Sequence, residues 1–266
     1  MFRKIACTLV MLTLSLPASA WELAVCANPA GLPYSQDDGA GCDNRIAAIL
    51  AEALEAELRF VWMPDHRLRT ARGFLHQGAC DVVMGVMDGQ KGLLTSHAYY
   101  RTTYVFVTRA DGPQVTSLDD PLMAELRIGV PGGARQTTPP DMGLMRRGHM
   151  ARITHFGGSG IAGATEARML DALETGAIDL AILWGPMAGH VLREGLVTAP
   201  VAPEIDIPFL PMFASLSLGV RPQDEALRDA IDHALAARWD DVQAVLAQAR
   251  VPQLHLPRPV AAEVGQ

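Results

Sequence analysis

One pattern occurs twice in this chain and fixes most of what it can fold into. A helical stretch ends at Gly78 and again at Gly176. Each glycine leads to an aspartate and an apolar run: Gly78-Ala79-Cys80-Asp81 into Val82-Val83-Met84-Gly85-Val86, and Gly176-Ala177-Ile178-Asp179 into Leu180-Ala181-Ile182-Leu183. Glycine tolerates the left-handed backbone that stops a helix. A short apolar run bounded by such punctuation reads as a buried strand. Two copies of helix, stop and strand imply two lobes built on one plan. After the first copy comes a polar loop, Asp88 to His97, then Tyr99-Tyr100 and a second β-rich run, Tyr104 to Val107. This stretch is expected to form the floor of a ligand cleft and then carry the chain into the other lobe.

The elements around it alternate. Glu22 to Ala27 reads as a strand, and Asn28 to Cys42 as a loop punctuated by Pro29, Gly31 and Pro33. Asp43 or Asn44 is expected to cap a helix whose Ile46, Leu50 and Leu54 form a core stripe. Arg59 to Met63 is a second strand, and a helix from Pro64 reaches Gly78. This β-α-β-α-β order predicts a parallel sheet with right-handed crossovers. The order of elements resembles the type 2 periplasmic solute-binding fold. It implies an α/β, bilobal protein with two parallel-rich sheets flanked by helices and a central cleft. The expected first lobe is 21–107 plus a return at 211–256, the second lobe is 108–210, and 257–266 is a tail. Val107, Thr108 and Pro211 are the expected hinge.

Residues 1–20 combine Arg3-Lys4, an apolar run from Ile5 to Leu16 and Pro17-Ala18-Ser19-Ala20, the pattern of a cleavable export signal. The mature chain is expected to begin at Trp21, in the periplasm. The apolar run is shorter than the roughly 20 residues that span a bilayer, so no membrane anchor is expected. Losing Arg3 and Lys4 takes the net charge from −7 to −9, which argues against a nucleic-acid or anionic-membrane partner. Cys26, Cys42 and Cys80 then remain, and in an oxidising compartment they suggest one disulfide and one free thiol. Cys26 ends its strand and Cys42 opens the next helix, so both should lie at the carboxyl edge of the sheet. Cys80 opens its strand at the opposite edge, and the expected pair is Cys26–Cys42. Neither the cysteines nor the histidines show metal-ligand spacing, and no nucleophile-elbow, zincin or Walker motif occurs.

In this fold, loops at the carboxyl ends of strands and helix amino termini hold the ligand. Asn28 to Tyr34, Met87 to Lys91, Pro131 to Thr137 and Trp184 to Pro186 should therefore surround one cleft. The amino-acid-binding members of the fold carry an Arg in the polar loop and an Asp after the last strand of the second lobe. Here the loop's one permanent cation is Lys91, and the second place reads Trp184-Gly185-Pro186. With both clamps missing, a free amino acid fits poorly. Asn28, Tyr34, Met87, Tyr99, Tyr100 and Trp184 suit an apolar ligand or a side chain from a partner. Gly132-Gly133 either offers N–H groups to an anion or makes a turn. Arg101 and Arg109 read as inter-lobe ion-pair partners. An enzyme of the dehydratase kind would have to use His97 and Asp88 as its acid–base pair.

Longer motifs narrow the resemblance: V-C-A-N-P-A-G-L-P-Y-S at 25–35, C-D-V-V-M-G-V at 80–86, Y-Y-R-T-T-Y-V-F-V-T-R at 99–109, S-L-D-D-P at 117–121 and W-G-P-M-A-G at 184–189. Together they are similar to the periplasmic J proteins associated with quinoprotein methanol dehydrogenase, the MoxJ/XoxJ type. That resemblance implies a non-catalytic accessory protein that the dehydrogenase needs to become active. The partner enzyme would carry pyrroloquinoline quinone (PQQ) with calcium or a lanthanide, and this chain would bind no cofactor. Two alternatives stand beside it. One is the solute receptor of an ABC-type importer, with a permease as partner and a small, weakly charged ligand. The other is the dehydratase-like enzyme.

Overall fold

The computed structural model describes residues 21–65, 67–133, 137–158, 161 and 163–260. The expected export signal at 1–20 lies outside them. The first lobe begins with β1 (Glu22–Ala27), α1 (Cys42–Ala53), β2 (Glu57–Trp62), α2 (Leu68–His76) and β3 (Val82–Met87). The strands β2 and β3 flank β1, both parallel to it. The long β4 (Tyr100–Arg109) leads to the second lobe: β5 (Ile128–Pro131), α3 (Pro139–Arg146), β6 (Ile153–Phe156), α4 (Ala164–Glu174), β7 (Leu180–Trp184), α5 (Gly185–Val191) and β8 (Leu196–Pro200). The return is β9 (Phe213–Val220), followed by α6 (Glu225–Ala237) and α7 (Trp239–Gln248). The strands form one mixed sheet in the order β2-β1-β3-β9-β4-β7-β5-β6, with β8 also on β4. In each half, parallel strands meet antiparallel strands that carry the crossing.

The crossing point differs from the expected one. Tyr100 to Thr103 of β4 pair with β9, whereas Tyr104 to Val107 pair with β7. Val107 and Thr108 both pair with β8 as well, and both are buried inside the second sheet. The chain therefore changes lobe at Thr103–Tyr104 and returns at Met212–Phe213, where the Met212 carbonyl accepts from Tyr104 N–H and Thr103 Oγ1. Pro211 lies in a small hairpin, opposite Ile205, just before that return. One unbroken strand serves both lobes, so no turn or loop marks where its neighbours change.

Alternation along β1 decides the disulfide. Leu23 and Val25 face the core beneath α1, which also holds Cys42, while Ala24 and Cys26 face the opposite core beneath α2. Successive strand residues point to opposite faces, so Cys26 and Cys42 lie on different sides of the sheet. Cys80, just before β3, lies in that same core beneath α2 with Cys26. Cys26 bonds to Cys80, with Cα atoms 5.5 Å apart, and Cys42 is a buried free thiol. The expected Cys26–Cys42 pair is thus corrected: it weighed which end of a strand each cysteine occupied and not which face.

The residues after α7 are not a loose end. Thr102 Oγ1 donates to the Pro252 carbonyl at 2.6 Å, and Leu254 N–H donates to the Arg101 carbonyl at 2.8 Å. An added Cβ at Gly189 would stand 2.0 Å from the Arg250 carbonyl oxygen. The C-terminal run thus lies across the crossing, touching β4 and α5. Within the expected tail, Arg258 still donates to the Ala236 carbonyl at 2.8 Å. Across the same crossing Arg101 pairs with Glu204 at 2.8 Å and lies over the Phe213 ring.

Candidate functional site

A cleft of about 840 Å³ opens between the lobes. Its first-lobe wall comes from the loop after β1, the start of α1 and the end of β3. The loop is seated on the helix: Cys42 N–H donates to the Pro33 carbonyl and Asp43 N–H to the Tyr34 carbonyl, at 2.9 and 2.8 Å. These loop carbonyls satisfy N–H groups that a side-chain cap would otherwise serve. Gly41 is the residue before the helix, and no side chain fits there, because a Cβ would lie 2.2 Å from the Tyr34 oxygen. The helix therefore starts earlier than expected. Asp43 and Asn44, expected as caps, sit inside its first turn and line the cleft, both buried.

The second-lobe wall comes from the start of α4 and the end of β7. Gly163 precedes α4 in the left-handed region at φ 75°, and Thr165 and Glu166 in the first turn line the cleft beside Trp184 and Met187. The Trp184 ring packs edge-on against Tyr104 at 5.0 Å and also against the first-lobe core. It spans the two lobes.

Five of the expected site residues line this cleft: Asn28, Tyr34, Met87, Tyr100 and Trp184. The others do other work. Tyr99 is fully buried behind the wall, where its hydroxyl donates to Asp43 Oδ1 at 2.9 Å and its ring meets Tyr100 edge-on. Lys91 is exposed and stands outside the lining. Gly132 turns the chain at φ 106° after β5, its N–H donating to the Phe156 carbonyl, and neither it nor Gly133 lines the cleft. Gly185 packs at the crossing, where a Cβ would lie 2.6 Å from the Thr103 carbonyl oxygen. Of the arginines flanking the crossing strand, Arg101 joins the lobes as expected; Arg109 instead bonds the Leu173 carbonyl within the second lobe. His97 pairs with Asp232 of α6 at 3.1 Å, not with Asp88, and neither His97 nor Asp88 lines the cleft.

Sequence reasoning missed Asp43, Asn44, Glu166, Phe60, Met84 and Met187 as lining residues. A usable signal existed for three of them: polar side chains in the first turn of a helix whose amino end faces a cleft. Burial pushes the Asp43 carboxyl up to about 7, and the Tyr99 hydrogen bond opposes that rise. Burial, then the Asp43 charge, raises the Tyr34 hydroxyl well above its ordinary value. Asn44 Oδ1 accepts from Gln36 N–H at 2.8 Å, while its Nδ2 is buried without a partner among the described residues. The described lining holds Asp43, Asp65 and Glu166 and contains no Lys, Arg or His. Among the described residues no group of His, Cys, Asp and Glu could hold a metal ion, and no helix is long and apolar enough to cross a membrane.

Two lobes joined by paired crossings, with a cleft at the strand ends, define a protein of the periplasmic solute-binding class. Solved structures agree. The chain is similar to MxaJ from Methlophaga aminisulfidivorans MPT (TM-score 0.73, 26% identity, 87% of this chain and 100% of that one). It is also similar to the periplasmic binding protein XoxJ from Methylobacterium extorquens AM1 (TM-score 0.69, 29% identity, 88% and 100%). Among curated proteins, MoxJ of Methylorubrum extorquens is 31% identical over 251 residues, covering 88% of this chain and 82% of that protein. The chain belongs to the MoxJ family. No protein-family model matches it.

Proposed function

We propose that this chain is a periplasmic, non-catalytic accessory protein of PQQ-dependent methanol oxidation, whose cleft engages a segment of the dehydrogenase during its maturation or activation. Membership of the MoxJ family supports the link to that system. The observation that carries the reading is the cleft itself. It keeps the position of a solute site but lacks the amino-acid clamps, with Trp184 where a carboxylate would neutralise an amine and no arginine among its described lining residues. An apolar and aromatic surface of this kind is what a partner's side chains fill. Its carboxyls oppose a tricarboxylate such as PQQ, in keeping with the quinone and its calcium or lanthanide residing in the enzyme.

The test is calorimetric titration of the chain beginning at Trp21 with purified apo-dehydrogenase, beside free PQQ and a panel of amino acids. Binding to apo-enzyme alone, weakened at least tenfold by Trp184→Ala, is the expected result. Stoichiometric binding of a small molecule with no binding to the enzyme would return the chain to the importer receptors. The cleft volume, within the few hundred to 1,000 Å³ usual for small-ligand sites, is what favours that second reading.

A further inference from the structure

The charge inside the cleft is one-sided. Asp43 stands on the first-lobe wall and Glu166 on the second, and the charges of both reach the hydroxyl of Tyr34. Tyr34 and Trp184 line the same space and meet there, the Trp184 indole N–H donating to the Tyr34 hydroxyl. Asp43 Oδ1 is occupied by the Tyr99 hydroxyl, while Oδ2 lies against Gly85, where an added Cβ would touch it at 3.4 Å. Gly85 itself lies at φ 66°, in the region that favours glycine. Asp43 and Gly85 both line the cleft. Beside Asp43, Asn44 is 3% exposed and its Nδ2 lacks a partner among the described residues. A buried amide donor without an acceptor has a cost unless something supplies one.

We propose that the cleft takes an ammonium or guanidinium group carried on an apolar stem. The cation would sit between Asp43 and Glu166 against the rings of Tyr34 and Trp184, with Asn44 Nδ2 free to donate to a carbonyl of the same ligand. Aromatic faces attract cations, and carboxylates from opposite walls neutralise one while drawing the two lobes together. The apolar remainder of the lining, Phe60, Met84 and Met187, accommodates the stem. The proposal rests on the reading of the cleft as a binding site. It names the chemistry that a partner segment must present there, a lysine or arginine among apolar residues; a free solute bearing the same group is the other source.

Binding of apo-dehydrogenase and of butylguanidinium, with neutral butylurea as control, is measured for the wild-type chain and for Glu166→Gln, Asp43→Asn and Trp184→Ala, each confirmed folded by its thermal melt. The expected result is a loss of tenfold or more in Glu166→Gln, with butylurea binding no tighter than the guanidinium does after that loss. If the loss falls on the enzyme, the cation comes from the partner segment; if it falls on butylguanidinium alone, the cation belongs to a free solute. Glu166→Gln and Asp43→Asn both within twofold of wild type, while Trp184→Ala still weakens the enzyme complex, overturns the cationic assignment and leaves the partner-binding cleft standing. Affinity unchanged in all three variants overturns both.

Discussion

Replacing Asp43 with asparagine isolates one buried carboxyl and gives a signed, pH-dependent effect. Asparagine keeps an oxygen for the Tyr99 hydroxyl, which now donates to Asp43 Oδ1 at 2.9 Å, but has no proton to lose. In the native protein burial lifts the Asp43 carboxyl from 3.8 to about 7. Below about pH 4 the group is protonated in both folded and unfolded chains, and its contribution to stability is fully present. Between pH 4 and 7 the unfolded chain releases the proton and the folded one retains it, so that contribution is lost as the pH rises. At about 1.4 kcal/mol per pH unit, the loss is complete above pH 7 and amounts to on the order of 4 kcal/mol. Urea unfolding followed by tryptophan fluorescence, at intervals between about pH 4 and 8, measures it. The expected outcome is that Asp43→Asn gains on wild type by several kcal/mol across that window, since all other titrating groups cancel in the difference. Two stability curves that run parallel from pH 4 to 8 would refute the assignment of Asp43 as a buried, uncompensated carboxyl.

Other predictions follow from the packing. Removing the disulfide by Cys26→Ser with Cys80→Ser opens a loop with a sequence separation of 54 and should cost about 4 kcal/mol by loop entropy, seen as a lowered urea midpoint. The unreduced chain beginning at Trp21 should show no reactive thiol when native and one when denatured, because Cys42 is buried and free; two or more thiols would contradict the pairing. Gly189→Ala places a methyl where only 2.0 Å separates it from the Arg250 carbonyl. Overpacking of this kind costs about 1–3 kcal/mol, and the C-terminal run should become open to limited proteolysis near residue 250.

What the sequence revealed and what it hid follow one physical division. Strands β3 and β7 and the helices before them were readable, because a glycine stop and an apolar run are local signals. The cleft walls at Asn28, Tyr34 and Trp184 were readable because strand ends in this architecture converge. The crossing at Thr103–Tyr104 was not, since it falls inside one continuous strand where only the neighbours change. The Cys26–Cys80 bond depended on which core each cysteine faces, and that is set by how the strands and helices pack together. Asp43 was hidden by its chemistry: an aspartate at a helix start reads as a cap, and only the carbonyls of Pro33 and Tyr34 on the first-turn N–H groups free it for the cleft.

The position of β9 between β3 and β4 has a consequence for the order of assembly. The second lobe is one continuous stretch of chain, so every strand it needs is available once residue 212 is. The first lobe is not: until residues 213–220 arrive, its sheet lacks a central strand, and β3 and β4 have nothing to share. Contacts that span so much sequence form slowly. The half of the molecule that appears first in the sequence is therefore the half completed last, and the carboxyl-terminal fifth of the chain closes the wall that holds Asn28, Tyr34 and Asp43.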